Sequence, residues 1–391
     1  NNKKLAKIYH IFIFLLFPLL PLIKFYFRRK KIRLGNMTHL RIGHLIGELS
    51  IWYFFKIIKK NDFKEIWYVA KNSCNPYWVK KIGQKINISD KFIKKIFYDL
   101  FIRFGVQELL IKPPKHVERD INGLVYKNDN IINFSQKEID YGNKLLKEIN
   151  IQKEDKIVCI CIRDNYFFKK YTRTLAWQNY EYKNSDIEKY DKAVKYLNGK
   201  NIKVVRMGVG SENRWSLVGL NNIDYSISKI RSGFLDFFLV NKSKFSILNG
   251  TGFYWIPYIQ KKPLVMTDLI PIGNINSYVP NNLTIFKHIY SEEKKRNLNL
   301  NEMLSQKFNF IVGNKNFKQK GLKPIDNSKE EIYEVVKEMN ERLDGNFNKE
   351  NNLKQKNFWD LYPKIIENHH VKERHGEINA RIGASFLDKY L

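Results

Sequence analysis

From residue 31 onward the chain repeats one pattern: a short apolar run, a turn rich in Gly, Asn or Ser, then a polar segment whose apolar residues return every three or four positions. Short apolar runs bounded by turn residues read as buried strands, and the three-to-four spacing reads as helix. Lys31–Thr38 and Glu65–Ala70 are therefore predicted strands, with Arg41–Leu45 a turn between them. Leu45–Lys59 is a predicted helix carrying Leu45, Leu49, Trp52, Phe55 and Ile58 on one face, and Pro76–Ile86 and Phe92–Phe104 follow as helices. Ser135, with Glu138 three residues later, is a capping box for a helix to about Ile149.

A second series starts at Lys156. Its predicted strands are Ile157–Ile162, Lys203–Met207, Phe245–Leu248 and Pro263–Thr267. Its predicted helices run from an Asn184 or Ser185 cap to Leu197, over Phe234–Val240 and over Gly252–Gln260, with Arg163–Asn184 a long loop. Helices at Lys329–Leu343, Phe358–Asn368 and Glu377–Tyr390, with a polar linker Asp344–Lys356, close the chain. Strand–helix alternation implies parallel sheets covered on both faces. The expected fold is α/β: two Rossmann-like domains facing across a cleft, with an N-terminal hydrophobic helix and C-terminal helices. The boundaries read as segment 1–30, first domain 31–149 and second domain 150–391.

The N-terminal segment breaks the pattern. Ile8–Ile23 holds 16 uncharged residues including Pro18 and Pro21, Arg28, Arg29, Lys30, Lys31 and Arg33 follow, and no acidic residue precedes Glu48. Sixteen helical residues rise about 24 Å, short of the roughly 30 Å hydrocarbon core. The basic flanks fit a segment held at, or re-entering, an anionic membrane surface, at about 1 kcal/mol per Lys or Arg. The competing readings are a signal sequence, although no small-residue cleavage site follows, and a helix packed on the protein's own core. The chain begins with Asn1 and not Met, and we read its start as incomplete. The expected location is the cytoplasmic face of the inner membrane, peripheral or monotopic.

Charge adds less than its size suggests. Lys plus Arg less Asp plus Glu is 69 − 39 = +30, but only 15 of the 69 are Arg and the Lys residues are scattered among Asn, Ile, Tyr and Phe, as in a chain of AT-biased composition. No zinc, homeodomain-like or RNA-recognition signature accompanies the charge, so nucleic acid is not an expected partner. Cys74, Cys159 and Cys161 have neither zinc spacing nor an even count for a disulfide framework, and no metal site is expected. Cys159 and Cys161 read as buried residues on one strand face.

Candidate chemistry gathers where predicted strands end. Phe245–Pro257 reads FSILNGTGFYWIP, and places Asn249, Gly250, Thr251 and Gly252 at a strand-to-helix junction. Glycines there let backbone approach a ligand, and free N–H groups attract phosphate; a tight turn that simply needs glycine is the bland alternative. Arginine is the scarce basic residue, yet Arg163 and Arg206 close strands and Arg231-Ser232 precedes a helix. A guanidinium fork suits bidentate phosphate binding, and structural pairing, for instance Arg231 with Asp236, is the competing use. Arg41, Gly43 and His44 lie at the corresponding corner of the first half. His44 and Asp164 are candidate general bases, with Glu48, one turn beyond His44, a third; Asp164 as a loop cap is the alternative.

The motifs RIGHL (Arg41–Leu45), CIRDNYFF (Cys161–Phe168), YKNSDIEKY (Tyr182–Tyr190), VVRMG (Val204–Gly208), IRSGFLDFFL (Ile230–Leu239), ILNGTGFYWIP and DLIPI (Asp268–Ile272) occur in one order. In that order the chain resembles a bacterial family of glycosyltransferases from surface-polysaccharide gene clusters, from about Arg41 to the FWDLYPKII and IGASFL segments. The family pattern has Arg before Asn-Ser-Asp, where this chain has Lys183. The resemblance implies a GT-B architecture and a sugar nucleotide as substrate, with no cofactor. It implies that Arg163, Arg206, Arg231, Ser232 and the Asn249–Gly252 turn line the donor side, and that Arg41, Gly43 and His44 face a glycan or lipid-linked acceptor. It also implies metal-independent transfer, in keeping with the lack of a DxD motif near the donor turn. A polysaccharide pyruvyltransferase and a non-catalytic membrane-bound assembly protein are the alternatives on the same scaffold.

Overall fold

The computed structural model describes residues 2–58, 62–114, 119–171, 175–348, 352–363, 367, 375–376 and 378–391. The chain separates into two compact units, Asn1–Glu118 and Arg119–Leu391.

The first unit opens with α1 (Asn2–Leu15), a 3-10 turn Phe17–Leu19 that carries Pro18, and α2 (Leu20–Arg29). Then come β1 (Ile32–Asn36), α3 (Ile42–Ile58), β2 (Lys64–Tyr68), α4 (Pro76–Gly83), β3 (Ile88–Ser89) and α5 (Phe92–Arg103). The strands form a parallel sheet in the order β1-β2-β3. Its core joins Phe27, Leu34, Phe101, Val106, Leu109 and Leu110. α2 and β1 are thus part of the packed unit, because Phe27 is buried against Phe97 and Phe101.

Two expectations change here. The apolar helical stretch is Lys4–Arg29, 26 residues, which by length and composition is enough to cross a bilayer. A straight α-helix of that length would measure about 39 Å at 1.5 Å per residue, but here the 3-10 turn Phe17–Leu19 divides the stretch into α1 and α2. Residues 41–45 are not a turn: α3 begins at Ile42, with the Arg41 carbonyl accepting the first helical bond from Leu45 N–H.

The second unit continues with α6 (Leu124–Lys127), α7 (Gln136–Glu148), β4 (Lys156–Cys161), α8 (Tyr166–Tyr171), α9 (Asp191–Gly199), β5 (Ile202–Arg206), β6 (Asn222–Asp224), α10 (Gly233–Lys242), β7 (Ser246–Leu248), α11 (Trp255–Ile259) and β8 (Leu264–Leu269). It ends with β9 (Asn282–Phe286), β10 (His288–Ser291), β11 (Arg296–Asn297), α12 (Leu300–Leu304), α13 (Asn314–Gln319), β12 (Leu322–Ile325), α14 (Lys329–Leu343), α15 (Asn352–Leu361), β13 (Arg381–Ile382) and α16 (Ala384–Tyr390). Seven strands form one sheet in the order β13-β9-β8-β7-β4-β5-β6, every described pairing parallel. A small antiparallel sheet, β11-β10-β12, sits beside it in sequence. β4, β7, β8 and β9 are buried almost end to end, as a sheet covered on both faces requires.

The division between units falls before Arg119, earlier than the 149/150 joint expected from sequence. Packing explains it. Asp120 accepts hydrogen bonds from the backbone of Leu124 and Val125 and from the Tyr258 hydroxyl at 2.6 Å. α7, with its Ser135–Glu138 capping box, presses Gly142 so close to the Phe238 ring that any side chain there would collide. Further differences are local. The 163–184 stretch, expected as a loop, contains α8 and a 3-10 helix over Leu175–Lys183. Asp186, not Asn184 or Ser185, caps the turn that leads into α9. The expected helices 358–368 and 377–390 extend over residues 364–366, 368 and 377, which lie outside the described residues; within them α15 starts earlier, at Asn352, and α16 later, at Ala384.

Candidate functional site

Within the seven-stranded sheet, the segment β6-β5-β4-β7-β8-β9 runs outward in both directions from β4 and β7. Loops leaving the carboxyl ends of that central pair diverge, and in open parallel sheets ligands bind in the crevice this opens. β4 hands on to Arg163 and β7 to Asn249–Gly252.

Asn249 ties these loops together. It is fully buried; its Oδ1 accepts Arg163 N–H at 2.7 Å, while Nδ2 donates to the Lys183 carbonyl at 3.1 Å and to Ser185 Oγ at 3.0 Å. Arg163 Nε donates to Asn184 Oδ1 at 3.1 Å, Asn184 Nδ2 to Asn165 Oδ1 at 2.7 Å, and Asn165 Nδ2 to Glu181 Oε1 at 2.8 Å. The guanidinium lies 4.9 Å above the Phe168 ring. The backbone and side chain of Arg163 are therefore fixed before any ligand arrives, and a preorganised fork loses less entropy on binding an anion.

Gly250 answers to access more than to packing. A Cβ built there would meet nothing within 4 Å, and its φ is not among the positive values. Neither crowding nor left-handed backbone requires a glycine at that position. Thr251 Oγ1 accepts Phe253 N–H at 3.3 Å and caps a 3-10 turn, Gly252–Tyr254, ahead of the five-residue α11. The single helix expected over Gly252–Gln260 is thus split, and no long helix dipole points back at the turn.

α10 is longer, and Ser232 caps it by accepting Leu235 N–H at 3.2 Å while its own N–H donates to Tyr225 Oη at 3.0 Å. Arg231, just ahead, is partly exposed and stands 3.3 Å from the buried Asp236 carboxylate. Burial pushes the Asp236 carboxyl up to about 6, against the pull of Arg231. A carboxyl raised in the folded state binds its proton more tightly there than in the unfolded chain, so its contribution destabilises as pH rises from about 4 to about 6. Asp236→Asn is expected to flatten that part of the stability–pH curve, read by denaturant titrations at several pH values.

Two sequence candidates are spent within the protein. Arg206 is 3% exposed, pairs with Asp224 at 3.3 Å and donates to the Asn213 carbonyl at 3.0 Å, so it joins β5, β6 and the loop between them. Asp164 accepts Tyr166 N–H at 2.9 Å through Oδ1 and Glu212 N–H at 2.8 Å through Oδ2, which makes it a loop cap. In the first unit, Gly43 and His44 lie in the opening turn of α3 and Arg41 is exposed at its start. His44 Nδ1 is 2.5 Å from Glu48 Oε1, one helical turn on. A carboxylate there holds the proton on Nδ1 and leaves Nε2 as the basic nitrogen.

The strand ends also carry residues the sequence reading did not single out. Lys287, beyond β9, is 3% exposed and donates to the Asn184 carbonyl and to Asp326 Oδ1, both at 2.5 Å. Asp268 adopts a left-handed φ of 51° and exchanges bonds with Asn327, its N–H to Oδ1 at 2.8 Å and its own Oδ1 from Asn327 N–H at 2.6 Å. Burial raises its carboxyl, while Lys287 lowers it. Asp268 opens the DLIPI motif and could have been found there; nothing marks Lys287 in a chain so rich in lysine.

No family model matches the chain, and no curated protein matches it. Among solved structures it is similar to the E. coli ADP-heptose lipopolysaccharide heptosyltransferase II, with TM-score 0.42 and 10% identity over 65% of this chain and 90% of that one. It is also similar to a glycosyl transferase family 9 protein of Veillonella parvula, with TM-score 0.41 and 9% identity over 66% and 87%. A third is the iron-containing dodecameric glycosyltransferase TibC of enterotoxigenic E. coli, with TM-score 0.36 and 12% identity over 64% and 63%. None of these distant likenesses assigns this chain a donor, an acceptor or a metal.

Proposed function

We propose that the protein is a glycosyltransferase that moves a sugar from a nucleotide-sugar donor to a surface polysaccharide or lipid-linked glycan. The observation that carries this reading is the Arg163–Asn249 junction at the switch in strand order, where buried Asn249 holds the Arg163 backbone and Asn184 holds its guanidinium beside an accessible glycine turn. The donor diphosphate would be met by Arg163, Arg231 and the backbone of Asn249–Gly252, with Ser232 holding the start of α10 in place. Charge developing on the leaving diphosphate is stabilised by groups already fixed, so little reorganisation accompanies reaction. The proton of the acceptor hydroxyl goes to His44, with Glu48 orienting the imidazole. Arg41 and Gly43 belong to the acceptor side of the proposal. Metal-independent transfer is part of the same reading, and activity that survives a chelator tests it. Arg206 and Asp164 are assigned to the scaffold of the site.

The experiment is release of nucleoside diphosphate from a panel of nucleotide sugars by the purified protein, with membrane extract as acceptor. Release from one donor class supports the proposal. Consumption of phosphoenolpyruvate instead makes the protein a pyruvyltransferase, and inactivity toward both favours an assembly role. Arg231→Ala is expected to weaken the donor by about 2 kcal/mol, roughly 30-fold, the loss of one charge-assisted hydrogen bond. Calorimetric titration reads this, and an unchanged affinity in a folded variant removes Arg231 from the site.

Location at the cytoplasmic face of the inner membrane completes the proposal, supported by the exposed apolar surface of residues 4–29 and the basic residues behind it. Because Phe27 and Leu34 belong to the core, removing residues 1–34 to release the protein would also unfold the first unit. Surface substitutions are the appropriate probes.

A further inference from the structure

The 3-10 helix Leu175–Lys183 delivers Lys183 and Asn184 to the site, and it is itself held by the start of α13. Asn314 is inserted into its last turn: Oδ1 accepts Tyr182 N–H at 2.9 Å and Nδ2 donates to the Gln178 carbonyl at 2.7 Å. Gln178 and Tyr182 stand four residues apart, so these are the carbonyl and the N–H that an α-helical turn would join to each other. The carboxamide replaces that bond. It carries a donor and an acceptor on one carbon, which neither a carboxylate nor an aliphatic side chain does. Two further contacts fix the register. Lys315 N–H donates to Asn179 Oδ1 at 3.2 Å, and Gly313 lies so near the same amide that a Cβ would stand 2.6 Å from its nitrogen. The buried rings of Tyr182 and Phe317 pack beside them, with centroids 5.3 Å apart.

From this clamped turn, hydrogen bonds run side chain by side chain to the guanidinium. Asn314 Nδ2 is 3.4 Å from Glu181 Oε2; Glu181 Oε1 accepts from Asn165, Asn165 Oδ1 accepts from Asn184, and Asn184 Oδ1 accepts from Arg163 Nε. The backbone follows the same route. Asn184 N–H donates to the Glu181 carbonyl at 2.8 Å, and Ser185 N–H donates to the Arg163 carbonyl at 3.1 Å. Groups that lock the rotamer of a binding side chain before the ligand arrives lower the entropy lost on binding.

We propose that Asn314 is a positioning residue for the donor site: it keeps the last turn of the 3-10 helix from relaxing, and through Glu181, Asn165 and Asn184 it holds the Arg163 fork in place. This rests on the donor reading above. The full-length protein is titrated calorimetrically with inorganic pyrophosphate, the part of a sugar nucleotide that Arg163 would meet. Asn314→Ala is expected to bind it about fivefold more weakly with an unchanged circular dichroism spectrum, the scale of one lost hydrogen bond. Arg163→Lys keeps a charge but lacks the Nε–H that Asn184 holds, so in that background Asn314→Ala should change affinity by less than about twofold. Asn179→Ala, at an exposed position, should weaken binding in the same sense by about twofold, and it carries the test if Asn314→Ala does not fold. Full affinity in both variants, or a fivefold loss that persists with Lys at position 163, overturns the positioning role and leaves the donor site standing. Wild-type protein that binds no pyrophosphate overturns the donor reading, and the positioning role with it.

Discussion

His44→Ala is expected to lower turnover by roughly 10²–10⁴-fold, the range for removing a positioned general base, with donor affinity unchanged. The prediction follows from local geometry in α3. His44 and Glu48 are one turn apart on the same face, and their side chains meet at 2.5 Å. His44 is 42% exposed and Glu48 23%, so the imidazole is reachable while its partner is shielded. Glu48→Gln keeps the hydrogen bond but removes the charge, and a smaller loss of turnover is expected. Steady-state kinetics with donor binding measured separately distinguishes the roles. Equal loss of binding and turnover in His44→Ala would make the histidine structural, and no loss would remove it from the mechanism.

Asp326→Ala is expected to destabilise the second unit by about 3–5 kcal/mol, the usual cost of stripping a buried charge of its counter-charge. The Lys287 side chain is 3% exposed; without Asp326 its ammonium keeps one described hydrogen bond, to the Asn184 carbonyl, and only the more distant Asp268 as a counter-charge. Lys189, 3.4 Å from the other side of Asp326 and 35% exposed, is the contrast: Lys189→Ala should cost less than about 1 kcal/mol. Lys287→Met combined with Asp326→Leu should recover part of the loss, because no buried ammonium is then left without its carboxylate, while the partly exposed Lys189 loses only a weak pair and Asp268 loses the pull of Lys287. Chemical denaturation of all three decides it. Lys287 also holds Asn184, which holds Arg163, so Asp326→Ala should weaken donor binding even where the unit remains folded.

The periodic parts of the chain were legible. α14 matches its expected span at both ends, the Ser135–Glu138 capping box forms, and the buried strands β4, β5, β7 and β8 lie within a few residues of where apolar runs put them. What was lost lacked period or length. β6 spans three residues and β13 two, and β9 through β12 fall in a stretch where polar and apolar residues follow no single repeat. The division between units depends on Gly142 meeting Phe238 and Asp120 meeting Tyr258, contacts between residues far apart in sequence.

At the site, sequence found the loops and could not sort their side chains. Arg163, Arg206 and Arg231 look alike as strand-end arginines, yet Arg206 is buried on Asp224 while Arg231 remains partly exposed. That difference comes from the pairing of β6 with β5, which sets Asp224 opposite Arg206 and was not foreseen. Asn249 was noted as part of a glycine turn, but its three hydrogen bonds involve residues from 64 to 86 positions away, beyond any local pattern.

The central claim is that the carboxyl edge of the seven-stranded sheet binds a nucleoside diphosphate through Arg163 and Arg231. Thermal-shift titration of the wild-type protein and of Arg163→Ala and Arg231→Ala against UDP, GDP, ADP, TDP, CMP and phosphoenolpyruvate tests it most directly. The account predicts a rise in Tm with one nucleoside diphosphate, reduced in both variants. A response confined to phosphoenolpyruvate, or a nucleotide response that both variants retain in full, would contradict it.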